Sequence, residues 1–196
     1  MAVDRGWHWI VRHPHYDTFI NYDLAMIKLD KNVSFLTVPL LNQTQCDQSI
    51  SYENETIDGC KIATTTGWGA TESIFFCNFY FYCLTQCNPT DNSMSEVLRK
   101  ADVTIKSITN CSRNWAIPMT AAQICAGNGA TEGGICLGDS GGGLVCNRDG
   151  KRYLIGIASW VAIDIKGRCA VASMPNIYSR ICHVIPWIKE TIASFH

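Results

Sequence analysis

Gly138-Asp139-Ser140-Gly141-Gly142 is the stretch on which the reading of this chain turns. Three glycines surround one serine, so backbone N–H groups can approach a reacting carbonyl with little side chain in the way. A glycine-rich turn holding a serine is usually only a turn, and it is the residues around this one that raise its standing. Cys136 lies four residues before Ser140, Cys146 lies six after, and Cys125 stands farther upstream in Gln123-Ile124-Cys125-Ala126-Gly127.

Those cysteines belong to a larger set. The chain has 11 in 196 residues, scattered rather than gathered in Cys-x-x-Cys pairs, which favours disulfides in an oxidising compartment over zinc. Secretion is the expectation, and the sequons at Asn32, Asn42, Asn54 and Asn110 agree with it. Met1 to Ile20 carries Asp4, Arg5, Arg12 and Asp17 and no long apolar run, so no leader is expected in this chain. A net charge of −1 without clustered Lys or Arg argues against nucleic acid and acidic membranes as partners. No metal-ligand spacing, phosphate loop or dinucleotide fingerprint is present, so no cofactor is expected.

Working outward, short β-type runs alternate with Gly, Asn and Asp clusters. They are Ala63 to Thr66, Ala101 to Ile105, Gly143 to Cys146 and Tyr153 to Ala158. Arg148-Asp149-Gly150-Lys151 is a hairpin signal between the last two. An all-β barrel or sandwich follows. Upstream, Leu24 to Leu29 reads as a strand with Leu24, Met26 and either Ile27 or Leu29 facing inward. Asp30 to Asp58 is polar and aperiodic and reads as a surface connection. At the end, Val184, Ile188 and Ile192 recur every four residues, and Pro186 suits a helix's first turn. One C-terminal helix is expected there, packed on the barrel. Ser73 to Asn92 stands apart as an aromatic-rich insert, too short for the roughly 20 residues of a membrane helix.

Taken together, the serine turn and its cysteines resemble the chymotrypsin and trypsin family of serine endopeptidases, from about Val11 to Ser194. Tyr22 to Leu29 is similar to the strand bearing the family's catalytic Asp. Thr66-Gly67-Trp68-Gly69, Ala158-Ser159-Trp160, Pro175-Asn176-Ile177-Tyr178 and Trp187-Ile188-Lys189 match family segments in the family's order. The resemblance implies a double Greek-key β-barrel with its first barrel incomplete. Residues 1–45 would be the remnant of that first barrel, 46–59 an interdomain linker, 60–183 the second barrel with 73–92 inserted, and 184–196 the C-terminal helix. Outside the insert there are eight cysteines, and the resemblance pairs them as Cys46–Cys182, Cys60–Cys146, Cys111–Cys125 and Cys136–Cys169.

Roles follow from the same resemblance. Ser140 is expected as nucleophile, the N–H groups of Gly138 and Ser140 as oxyanion hole, and Asp23 as the group that orients the base, with Ser159 beside it. Gly134, Ile135, Ser159, Trp160, Val161 and Asn176 are expected to bind substrate. Gly134 stands where trypsins place an Asp at the pocket base, and Val161 and Asn176 stand where trypsins have two glycines, which implies a narrowed, elastase-like slot. Protein or peptide substrates, and protein inhibitors, are the implied partners. Glu132 reads as a solvated loop carboxylate.

The base is missing from this pattern. His8, His13 and His15 lie too close before Asp23 for the family's histidine, and Arg12-His13-Pro14-His15-Tyr16 matches an ordinary surface turn. The activation segment is absent as well, so Asp139 is expected to lack a partner and the oxyanion loop to be zymogen-like and disordered. The chain as written is therefore expected to be inactive. A secreted pseudoprotease that binds rather than cleaves is the alternative. A small disulfide-stapled adhesion domain accounts for the cysteines but not for Asp23, Ser140 and the pocket segments together.

Overall fold

A computed structural model of the chain describes residues 5–17, 20–34, 37–47, 50–51, 56–71, 94–127, 132–164, 169, 171 and 173–195. The aromatic insert expected at 73–92 lies outside the described residues.

The chain begins with an antiparallel pair, β1 (Trp7–Arg12) and β2 (Ala25–Leu29), in which Trp9 faces Lys28 and Arg12 faces Ala25. Leu24 and Met26 pack against the core, as the alternation at β2 requires. Ile27 and Leu29, one of which was expected inside, are 58% and 41% exposed. Among the described residues no further strand joins this pair and no second layer covers its outer face. Trp7, Trp9 and Ile10 are exposed beside them for the same reason.

The stretch read as a surface connection is partly docked. It holds α1 (Gln43–Asp47) and a two-stranded ladder of β3 (Ile50–Ser51) and β4 (Thr56–Ile57). Asn42 opens α1 with a capping box, its Oδ1 accepting from Gln45 N–H and its own N–H donating to Gln45 Oε1. Leu41, Cys46 and Ile57 are buried, and Asp58, 0% exposed, receives the Arg180 guanidinium through Nε at 3.2 Å and through Nη2. Polarity hid these anchors, because the few apolar side chains here have no period.

Next come β5 (Ile62–Gly67), β6 (Arg99–Lys106), α2 (Ile108–Trp115), β7 (Gln123–Ala126), β8 (Gly143–Arg148), β9 (Lys151–Trp160), β10 (Asn176–Arg180) and α3 (Ile181–Ala193). The six strands close into an antiparallel barrel in the order β10-β7-β6-β5-β8-β9. Alternation places Ala63 and Thr65 of β5, and Val103 and Ile105 of β6, inward. Leu144, Ile155 and Tyr178 meet them in the core. β8 turns into β9 at Asp149 (φ 52°) and Gly150 (φ 76°), both left-handed, as a two-residue type I′ hairpin demands.

Helix α2 has no long apolar period and was not legible as a helix. It is held instead by Ser107, whose Oγ accepts from Asn110 N–H at 3.2 Å, and by the Cys111–Cys125 disulfide to β7. Replacing Ser107 by alanine is expected to lower stability by about 0.5–2 kcal/mol in urea denaturation. Three more disulfides join Cys46 to Cys182, Cys60 to Cys146 and Cys136 to Cys169.

Helix α3 starts three residues before the expected Val184, so Pro186 lies inside it rather than in its first turn, and the ring denies the Cys182 carbonyl its helical donor. Val184 and Ile188 are buried, whereas Ile192 is exposed and Thr191 takes the inward place. A helix period of 3.6 rather than 4 carries the third residue of the series off the face.

Candidate active site

Ser140 sits on the tight connection into β8. Asp139 N–H donates to the Cys136 carbonyl, and Gly142 N–H donates to the Asp139 carbonyl at 2.9 Å. Gly138 adopts φ 94°, a left-handed conformation that disfavours side chains, and a Cβ there would run into the Met94 methyl. The turn is fastened to β9 by two backbone bonds, Gly141 N–H to the Ala158 carbonyl at 3.0 Å and Ala158 N–H to the Gly142 carbonyl at 2.8 Å. The residue after Ala158 is Ser159, whose Oγ donates to Asp23 Oδ2 at 2.7 Å. Ser179 Oγ of β10 donates to the Asp23 carbonyl at 2.9 Å. Ser140 and Asp23, 117 positions apart in the chain, are thus joined through one short bonded path across β9.

The Asp139 carboxylate is not left without partners. Gly69 N–H donates to Oδ1 at 2.7 Å and Cys136 N–H donates to Oδ2 at 2.9 Å. Residues 137–142 run through two short turns on either side of Asp139. Both carboxylate oxygens thus accept from backbone donors. Beneath lie two hydroxyls that sequence reasoning missed, Thr65 Oγ1 and Tyr178 Oη. They are buried near one another without closing a hydrogen bond of good geometry. Burial pushes the Tyr178 hydroxyl far above the ordinary tyrosine value; Thr65 pulls the other way and the Asp139 charge adds to the rise. The only sequence signal for this pair was two polar side chains at inward strand positions.

At the expected pocket, Gly134, Ile135 and Asn176 come together. Asn176 is 2% exposed, and its Oδ1 accepts from the Ile135 N–H at 3.3 Å. A side chain at Gly134 would collide with that same amide oxygen. The Ile135 side chain is buried in the barrel core, so its backbone N–H is what meets Asn176. Val161 packs partly buried against the core, and Trp160 stands edge-on to Trp115 with ring centroids 6.3 Å apart. Glu132 is not a solvated carboxylate. It accepts from Thr104 N–H at 2.8 Å and pairs with Lys106 Nζ at 3.3 Å, and although burial acts in the opposite sense, these donors hold its carboxyl below the ordinary glutamate value.

His13 is likewise not a surface residue. It is 5% exposed, packed against Tyr22 and Trp187. Among the described residues the Asp23 carboxylate meets Ser159, and no imidazole hydrogen-bonds to Asp23 or to Ser140 Oγ. No group of His, Cys, Asp and Glu among the described residues is arranged to hold a metal ion, and no described helix is long and apolar enough to cross a membrane.

Comparison with known proteins gives a consistent picture. The pattern of the trypsin family matches residues 83–188. Trypsin II-P29 of Gallus gallus is 31% identical over 191 residues, covering 95% of this chain and 62% of the relative. Trypsin-1 of Gadus morhua and Trypsin-1 of Salmo salar are each 29% identical, with 95% of this chain and 64% and 63% of those proteins covered. The chain therefore spans less than two thirds of the length of these relatives. With a family match over more than half its residues, a closed antiparallel barrel, a C-terminal helix and four disulfides among the described residues, this chain belongs to the trypsin family of serine peptidases.

Proposed function

We propose that this chain is the serine- and aspartate-bearing part of a secreted serine endopeptidase that cleaves protein or peptide substrates through an acyl-enzyme. The observation that carries the reading is the bonded path from the Ser140 turn through Ala158 and Ser159 to Asp23. In this reading Ser140 Oγ attacks the scissile carbonyl carbon and the N–H groups of Gly138 and Ser140 receive the oxyanion. Asp23 orients and stabilises a base that takes the Ser140 proton and returns it to the leaving amine. The described residues hold no imidazole at that place, and for want of a base this chain by itself is read as inactive. Four disulfides, and relatives that are trypsins, support the extracellular setting and the substrate class.

The Asn176 amide supports a shallow primary pocket. It occupies the space beside Gly134 where a long basic side chain would have to reach, and no carboxylate stands at Gly134 to meet one. Small or medium apolar side chains are the expected fit. The test is a peptide-library assay on a complemented enzyme, the chain joined to the portion of the chicken relative that it does not cover. Cleavage after Ala, Val or Leu is expected, and Asn176→Gly is expected to shift preference toward longer side chains by roughly 10–200-fold, the range of one methylene in a pocket. Preference of the unsubstituted enzyme for Arg or Lys would refute the pocket reading.

A further inference from the structure

Away from Ser140, a cluster of rings closes the seam between the segment leading to Asp23 and helix α3. His13, just past β1, stacks on Tyr22 with centroids 4.5 Å apart and planes 14° apart, and it meets Trp187 of α3 at 4.7 Å. His15 stands edge-on to both His13 and Tyr22, at 5.5 and 5.6 Å. From α3, His183 places Nε2 3.0 Å from Tyr22 Oη. His13 Nδ1 accepts the His15 backbone N–H at 3.2 Å, so that nitrogen carries no proton here and the ring is neutral, protonated on Nε2.

Tyr22 is the pivot. It holds φ 53°, an uncommon conformation for a non-glycine residue, and Asp23 follows it directly. The same segment is pinned to β1 by His13 N–H donating to the Leu24 carbonyl at 3.1 Å. His15 and His183 act on His13, Arg180, itself paired with the buried Asp58, acts on His183 from the end of β10, and Arg12 lies over the neighbouring Tyr16 ring. On the other side Asp23 turns its carboxylate to Ser159 instead of toward the imidazoles.

We propose that this ring cluster is an acid-sensitive latch: protonating the buried His13 at Nδ1 ejects the His15 N–H, places an imidazolium where a neutral ring packs on Tyr22 and Trp187, and releases Tyr22 and the Asp23 segment from α3. The hydrogen bond between Ser159 and Asp23 is then lost with it. Only that last consequence depends on Asp23 being catalytic; the latch stands on the seam itself.

The sign is fixed by burial. Burial, followed by His15 and His183, holds His13 below the ordinary imidazole value of 6.5, and burial, followed by Arg180, does the same for His183. An unfolded or released segment therefore binds protons more readily than the closed one. The latch is fully stabilising above about pH 6.5 and weakens as pH falls through the lower values of the closed state.

Amide hydrogen exchange on the full 196-residue chain at pH 7.5 and pH 5, corrected for intrinsic rates, tests this without recourse to activity. The amides of His13, His15 and Leu24 are expected to lose protection at least about tenfold in acid, the scale set by one unit of linked titration, while Ala158 in β9 keeps its own. His13→Phe retains a ring against Tyr22 and Trp187 and removes the proton; it also removes the acceptor of the His15 N–H, so its readout is the amides of residue 13 and Leu24, which are expected to stay protected at pH 5. Equal protection of the wild-type segment at both pH values would overturn the proposal, as would a His13→Phe chain that opens in acid like the wild type. If that variant does not fold, nuclear magnetic resonance titration of the wild-type imidazoles decides: His13 titrating well below 6.5 together with Tyr22 shifts supports the latch, and His13 titrating at or above 6.5 refutes it.

Discussion

Asp58→Asn is expected to lower the stability of the chain by about 3–5 kcal/mol, because it leaves the Arg180 guanidinium buried without its counter-charge. Asp58 is fully buried, bonded to Arg180 through both carboxylate oxygens, and held at φ 55°. Asparagine tolerates that left-handed backbone, so the substitution isolates the charge from the strain that alanine would add. Arg180 also donates to the Ala121 carbonyl, so one guanidinium ties the Ile57–Cys60 turn to the junction of β10 and α3. The measurement is equilibrium urea denaturation with the disulfides intact. A double replacement, Asp58→Asn with Arg180→Met, is expected to recover part of the loss, since an apolar side chain leaves no charge behind. A single-variant loss below about 1 kcal/mol, the scale of an exposed pair, would show that water reaches the pair.

The second large effect concerns Ser140. The chain by itself is expected not to react with a fluorophosphonate probe, and its turnover is expected to fall short of a complete triad by a factor on the order of 10⁶. Serine is a weak nucleophile near neutral pH without a base to take its proton, and no described imidazole reaches Ser140 Oγ or Asp23. Joining the chain to the portion of the chicken relative outside the match is expected to restore labelling, and Ser140→Ala is expected to abolish it again. Stoichiometric labelling of Ser140 in the chain alone would refute the inactivity, while failure of the complemented protein to label would refute the endopeptidase reading itself.

Much of this arrangement was readable before any coordinates, for identifiable reasons. Strands β5, β6 and β8 alternate buried and less buried positions, and Asp149-Gly150 supplies the left-handed backbone that a tight hairpin needs. The serine turn and the cysteines were legible because small residues and thiols at fixed spacing leave few alternative uses. What was not legible depends on partners distant in sequence. Whether Ile27 and Leu29 are inside depends on a layer above β2, and alternation within the strand cannot report its absence. His13 looked like a surface residue because its burial comes from Tyr22 and from Trp187, far along the chain. Asp139 looked unpaired because its donors are backbone N–H groups, and sequence does not say where those point. Helix α2 rests on a cap and a disulfide, neither of which leaves a periodic trace.

The disulfide topology has one further consequence. Cys46 and Cys60 are bonded to Cys182 and Cys146, and between Cys60 and Cys111 the described chain contributes no disulfide of its own. A single nick anywhere between Cys60 and Cys111 would therefore yield two polypeptides that migrate as one molecule until reduced. The fragment with Asp23 and the fragment with Ser140 would remain covalent companions through two crossings, so cleavage of that stretch would change the number of chain ends without parting the aspartate from the serine.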